Sequence, residues 1–195
     1  MPILIVIAGA NGSGKSTLTK LLAGNTLLID PDAIAKEIDP VNPSSVAIAA
    51  ARQALSLCQQ YIRMEHSFMV ETTLAGNTYL NLMRDVKQRG WAVDLIYIGI
   101  ADPNLNVLRV SDRVNLGGHD VPRSDILRRY ERSLNNLVKA AKIVDSHSER
   151  LCQRFSLYDN STSAGHQLVA TRDRERTVIY MQELPGWIDR ANLNL

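Results

Sequence analysis

The chain has 195 residues and only two cysteines, Cys58 and Cys152. That excludes a disulfide framework and a cysteine-built metal cluster. Cys58 falls in line with Leu55 and Ile62 on one helical face, which makes it a core residue. No apolar run is long enough to span a bilayer, so no membrane partner is expected. The first apolar run has no cationic flank and no cleavage site, which reads against a secretory leader. Net charge is small as well, at +2, with 22 Lys+Arg against 20 Asp+Glu. Bulk attraction to nucleic acid is therefore not expected, and any basic function must be local. Linkers, internal repeats and low-complexity segments are missing too. These absences predict one cytoplasmic α/β domain over residues 1–195.

What is present begins at the front. Ile3 to Ala8 is an uninterrupted aliphatic run rich in β-branched residues, the mark of a strand buried on both faces. It leads into Gly9-Ala10-Asn11-Gly12-Ser13-Gly14-Lys15-Ser16-Thr17, which fits G-x-x-x-x-G-K-[ST] position by position. Gly12 and Gly14 lack a Cβ, so the loop can turn its amides toward phosphate oxygens. The helix from Lys15 to Leu22 then points its free N–H groups at the same anion. In this pattern Lys15 reaches the β- and γ-phosphates and the Ser16 hydroxyl ligates Mg²⁺, so the expected cofactors are ATP and Mg²⁺.

Two acidic sites follow. The short strand Leu27 to Ile29 ends in Asp30-Pro31-Asp32, where Asp30 fits a helix N-cap and Pro31 the first helical position. Asp30 also remains a substrate-side candidate. Asp32 lies one turn beyond a strand's carboxyl end, where parallel sheets place their ligand crevice. It is the candidate base that takes the proton of an attacking hydroxyl, although it also complements the helix dipole. A third strand, Ser67 to Glu71, carries its acid at the place where phosphate-loop enzymes hold Mg²⁺, and Glu71 would act there through water. Its bland alternative is a solvated acid at the sheet edge. Thr72 and Thr73 beside it either cap the next helix or touch a substrate.

The periodicity predicts helices from Pro43 to about Arg63, from about Tyr79 to Gln88 and from about Pro103 to Val114, with Leu105, Leu108 and Val110 packed inward in the last and Arg109 and Arg113 one turn apart on another face. Another starts at Val121-Pro122-Arg123-Ser124. Strands are expected at Trp91 to Ile98 and Arg154 to Tyr158, and a hairpin at Gln167 to Thr171 and Thr177 to Tyr180. The double glycine Gly117-Gly118 ends a helix and supplies a hinge. It sits in a candidate flap over residues 113–128, ringed by Arg113, Arg123, Arg128, Arg129 and Arg132. Guanidinium groups there suit a transferring phosphoryl group. Arg113 is the leading candidate, whereas Arg128, Arg129 and Arg132 also fit a solvated helix face. His119 is read as a turn residue, and Asn160, after the last parallel strand, as a contact to adenine.

Together these motifs resemble the zeta-toxin-like kinases. The resemblance rests on residues 9–17, Ile-Asp-Pro-Asp at 29–32, Glu-Thr-Thr-Leu-Ala-Gly at 71–76, and Arg113 followed by Gly-Gly-His-Asp-Val-Pro at 117–122. It runs from about residue 3 to 161. It implies a phosphate-loop kinase with a mostly parallel five-stranded sheet in the order 2-3-1-4-5, helices on both faces, and a small C-terminal β-hairpin. It further implies phosphate transfer from ATP to the 3′-hydroxyl of a UDP-N-acetyl-sugar. By position, Lys15 is the loop lysine, Asp32 the hydroxyl-activating base and Arg113 a phosphate-binding arginine. Glu71 and Thr73 match the strand-end acid and the substrate-side threonine. The chain is shorter than the plasmid-borne toxins, which predicts a reduced sugar-nucleotide lobe and a closer likeness to the solitary chromosomal branch. Where those toxins carry a second flap arginine this chain reads Gly-Gly-His-Asp, which leaves Arg123 or Arg128 to supply it. An antitoxin partner is compatible with the resemblance without being implied by it. Two rival readings stay open: a polynucleotide-end kinase using the arginine-rich helix, and a nucleotide switch with slow ATPase activity.

Overall fold

The computed structural model describes residues 1–118, 120–142, 150–173 and 175–193. His119, and Arg174 in the turn of the expected hairpin, lie outside the described residues. Fourteen main elements follow in order: β1 (Ile3–Ala8), α1 (Lys15–Leu22), β2 (Leu27–Ile29), α2 (Pro31–Ile38), α3 (Ala47–Arg63), β3 (Phe68–Thr72), α4 (Thr78–Gln88), β4 (Ala92–Gly99), α5 (Pro103–Asn115), α6 (Arg123–Lys142), β5 (Arg154–Asp159), β6 (Gln167–Arg172), β7 (Thr177–Ile179) and α7 (Gly186–Arg190). A 3-10 turn, Pro43–Val46, precedes α3.

The strands form one sheet in the order β2-β3-β1-β4-β5-β6-β7. The first five are parallel and keep the expected 2-3-1-4-5 order. The C-terminal hairpin is not a separate appendage. β6 runs antiparallel on β5 and β7 on β6, which extends the sheet to seven strands.

Strand alternation sends successive β1 side chains to opposite faces. Leu4, Val6 and Ala8 join the large core built with α3, α4, α6 and α7. Ile7 packs on the other face with Leu18 of α1, Met69 and Ile98. The continuous apolar run of β1 is thus consumed on both sides. A third cluster, Val110, Val121 and Ile126, ties α5 to the start of α6.

Parallel pairing sets the carboxyl ends of four strands side by side. Ile7 is level with Glu71, Ala8 with Thr72, and Gly99 with Asp159. Because β1 is flanked by β3 and β4, its end is the crevice where chain connections diverge to either side.

Two expectations need correction. Leu108 is 60% exposed rather than packed inward, and Leu105 is only half-buried; Val110 is buried as expected, and α5 turns Asn106 inward with it. The short helix α7 was not foreseen, although its Trp187 is fully buried. Trp187 packs directly on Gly99, where a Cβ would fall 2.1 Å from the indole, so only glycine fits there.

Candidate active site

The strand ends and residues from helices α1 to α6 enclose a cavity of about 580 Å³. Its floor is the loop from Gly9 to Gly14. Gly12 and Gly14 have φ of +76° and +92°, in the left-handed region that favours glycine. α1 starts at Lys15 with no side-chain cap and no acid in its first turn. Its N-terminal dipole is therefore uncompensated and turned to the cavity, a donor set suited to phosphate.

The loop is braced from several sides. Asn160 Nδ2 donates to the Ser13 carbonyl at 2.9 Å, and His166 Nε2 lies 3.0 Å from the Gly14 carbonyl. From α5, Asn106 Nδ2 donates to the Asn11 carbonyl at 2.7 Å. Asn160 also lines the cavity, so the residue expected at adenine braces the loop itself. Behind it, Trp187 Nε1 and Ser161 Oγ both donate to Asp159 Oδ1, which fixes the preceding strand end.

Lys15 Nζ donates to the carbonyls of Gly9 and Ala10 at 2.9 and 3.1 Å. Desolvation by the surrounding loop pushes its pKa below the usual lysine value, while Asp32, Glu71 and Asp30 pull it back up and Arg113 pushes it down. All four line the same cavity as the lysine. Asp30 caps α2 as expected, accepting from the Asp32 amide at 2.9 Å. Burial raises the Asp30 carboxyl above the usual carboxylate range, helped by the negative charges of Glu71 and Asp32. With Asp30 occupied at the cap, Asp32 is exposed to the cavity at the start of α2.

Ser16 Oγ donates to Glu71 Oε2 at 2.9 Å, with Glu71 buried at the end of β3. Two hard oxygen ligands side by side suit Mg²⁺, which takes few protein ligands and completes its shell with phosphate and water. Among the described residues no group of three His, Cys, Asp or Glu forms a metal cage. A cation here would share its shell with the nucleotide. Thr72 and Thr73 line the cavity, but their hydroxyls accept from Leu74 N and Ala75 N and so build the loop's turns. The position before α4 is Asn77 rather than either threonine. Ala47, Ala51 and Tyr79 complete the wall beside Asp32, and no sequence signal singled them out.

The arginines sort differently from expectation. Arg113 lines the cavity, and Gly118 packs so closely on it that a Cβ would lie 2.5 Å from Arg113 Cγ. Arg123 and Arg128 do not line it. Arg123 donates to Asn104 Oδ1 at 2.8 Å, and Arg128 pairs with Asp125 at 2.7 Å on the exposed face of α6. Arg109 and Arg129 stand in the cavity wall instead. Arg109 lies four residues before Arg113 on α5, a spacing visible in the sequence that marks a shared helix face.

The family model described as "Zeta toxin" matches residues 1–184. An uncharacterized protein of Haemophilus influenzae is 39% identical over 127 residues, covering 65% of this chain and 91% of that protein. Among solved structures, the PezAT chromosomal toxin–antitoxin system of Streptococcus pneumoniae superposes with a TM-score of 0.62 at 17% identity, over 98% of this chain and 85% of that one. The AvrRxo1-ORF1:-ORF2 complex solved with ATP gives 0.66 at 14% identity, over 92% and 60%. At such low identity these two structures show a shared fold. Because the family match takes in the phosphate loop, the strand-end acids and the arginine-bearing flank together, the chain belongs to the zeta-toxin family of P-loop kinase-like phosphotransferases.

Proposed function

We propose that this chain is an ATP- and Mg²⁺-dependent kinase that phosphorylates a hydroxyl of a small molecule, with a UDP-N-acetyl-sugar as the acceptor class. The observation that carries the reading is the Asp32 carboxylate, exposed in the same cavity as the phosphate loop and within electrostatic reach of Lys15. A switch that only hydrolyses ATP has no use for a second acid at that wall.

In this reading the acceptor oxygen bonds to the γ-phosphorus as the bond to the β–γ bridging oxygen breaks, and ADP departs. The acceptor's proton passes to Asp32. Lys15 and Arg113 neutralise the charge spread over the transferring group. Ser16 and Glu71 would hold Mg²⁺, which supplies further charge neutralisation when bound. Thr72, Thr73, Asp30 and Tyr79 face the acceptor, and Ala47 and Ala51 leave it room. The flap over 113–128, hinged at Gly117 (φ +80°), closes on the bound substrates and excludes water. The choice of acceptor rests on family membership.

Three further elements belong to the same proposal: residues 1–195 act as one unit, the location is cytoplasmic, and an antitoxin protein binds the chain. The toxin–antitoxin complex among the structural neighbours supports the last. A nucleic-acid acceptor is disfavoured because Arg128 and Arg129 on α6 are engaged with Asp125.

Asp32→Asn tests the assignment. Transfer of phosphate to UDP-N-acetylglucosamine should fall by about 10²–10⁴-fold while ATP affinity stays near the wild-type value. Equal transfer by both proteins would remove Asp32 as the base. A mass-shift screen of a metabolite extract, read for a product made by wild type and lost in the variant, identifies the acceptor directly.

A further inference from the structure

We infer that Arg109 grips the nucleoside diphosphate portion common to ATP and ADP, whereas Arg113 meets the transferring phosphoryl group. This division of labour rests on the kinase reading above.

α5 presents Asn106, Arg109 and Arg113 on one face, since positions three, four and seven apart align on a helix. Asn106 anchors that face to the phosphate loop. Its side chain is fully buried and bonded to the Asn11 carbonyl, and its own carbonyl would lie 2.6 Å from a Cβ on Gly12. One turn along, the Arg109 guanidinium enters the cavity wall. Its Nη1 is buried with no hydrogen-bond partner among the described residues. A buried guanidinium N–H left without an acceptor is costly, and such a group is kept where a ligand oxygen completes it.

Of the other two cavity arginines, Arg129 is already engaged. Arg129 lies 3.4 Å from Asn11 Oδ1 and 3.6 Å from Asp125 Oδ2. No acid of the described residues forms an ion pair with Arg109. A planar fork of N–H donors with no carboxylate partner is suited to a phosphate or ribose oxygen. Its place along α5 says which part of the nucleotide it meets. Arg113 shares the cavity lining with Lys15, Asp32 and Glu71, and its charge acts on Lys15, where the reacting group must lie. Arg109 is set back by one turn, beside Asn106 and the Asn11–Gly12 edge of the loop. From there it reaches the part of the nucleotide that does not react.

Calorimetric titration of wild type, Arg109→Gln and Arg109→Lys with ADP and with a non-hydrolysable ATP analogue tests this without any acceptor. Both affinities should fall by the same factor, about ten-fold or more for the Gln variant, as expected on losing a charge-assisted hydrogen bond. In a separate assay with UDP-N-acetylglucosamine as acceptor, kcat at saturating ATP should stay within about three-fold of wild type while KM for ATP rises in step with the lost affinity. The thermal midpoint without nucleotide should not fall, because the wild-type N–H has no protein partner to lose. Unchanged affinities, or a loss confined to the ATP analogue, would overturn the inference; should the Gln variant not fold, the Lys variant carries the same comparison. If wild type bound neither nucleotide, the kinase reading and this inference would fall together. If the binding shifts appeared but no acceptor were phosphorylated, only the kinase reading would fall.

Discussion

The phosphate loop and the arginine-bearing flank differ in how their chemistry is specified. Residues 9–17 are contiguous, and most of their function is main chain: amides, glycine conformations and the start of a helix. The flank works through long side chains on α5 and α6, whose direction depends on how each helix is rotated against the other. That rotation is set by Val110, Val121 and Ile126, a small apolar cluster outside the cavity lining. Backbone chemistry is therefore robust to tertiary detail, while side-chain chemistry is not. The two regions meet at one seam, where Asn106 of α5 presses on Asn11 and Gly12.

Three substitutions break or sharpen that contrast. Lys15→Ala removes the loop's one charged side chain while leaving its main-chain cradle intact. Phosphate transfer should fall by roughly 10²–10³-fold, the scale of losing one preorganised electrostatic donor, with the fold unchanged by circular dichroism. Gly12→Ala attacks the seam instead. Its Cβ would meet the Asn106 carbonyl at 2.6 Å in a backbone conformation that side chains rarely adopt. A strain of about 1–3 kcal/mol is expected, appearing as weaker nucleotide binding by titration. A double variant with Asn106→Ala should leave that loss in place, because the collision is with main chain. Arg128→Gln marks the small end. Its partner Asp125 is a surface neighbour, and the pair should be worth less than about 1 kcal/mol. Transfer rates should stay within about two-fold, and a large loss would return Arg128 to the site and undo the sorting of arginines described above.

Legibility in the sequence followed the same division. The strand-loop-helix of the phosphate site and the Asp30 cap came from local patterns with fixed spacing, whereas the pairing of Ser16 with Glu71, 55 residues on, came from the place of an acid at a strand's carboxyl end. The order of the five parallel strands came with the family resemblance and holds. The sequence places Arg109 on one helix face with Arg113 without marking it as a site residue, because periodicity gives faces without saying which face meets a cavity. Leu108 shows the same failure from the other side. An apolar residue was assigned to the interior of α5, and the helix turned Asn106 inward instead to satisfy a loop carbonyl. Trp187 was illegible for another reason. Its seat is the bare backbone of Gly99, distant in the chain, and neither residue advertises the other.

The sequence alone determined the phosphate cradle, since glycine conformations, free helix-terminal amides and a lysine at fixed offset are properties of a dozen consecutive residues. It likewise determined which strands are buried on both faces, through uninterrupted β-branched runs. Tertiary structure decided which arginines enter the cavity, that Asn160 braces the loop, and that the terminal hairpin joins the main sheet. Those outcomes depend on rotations and separations between elements far apart in the chain. Only the packing of the whole core fixes such quantities, because no local interaction is strong enough to hold them.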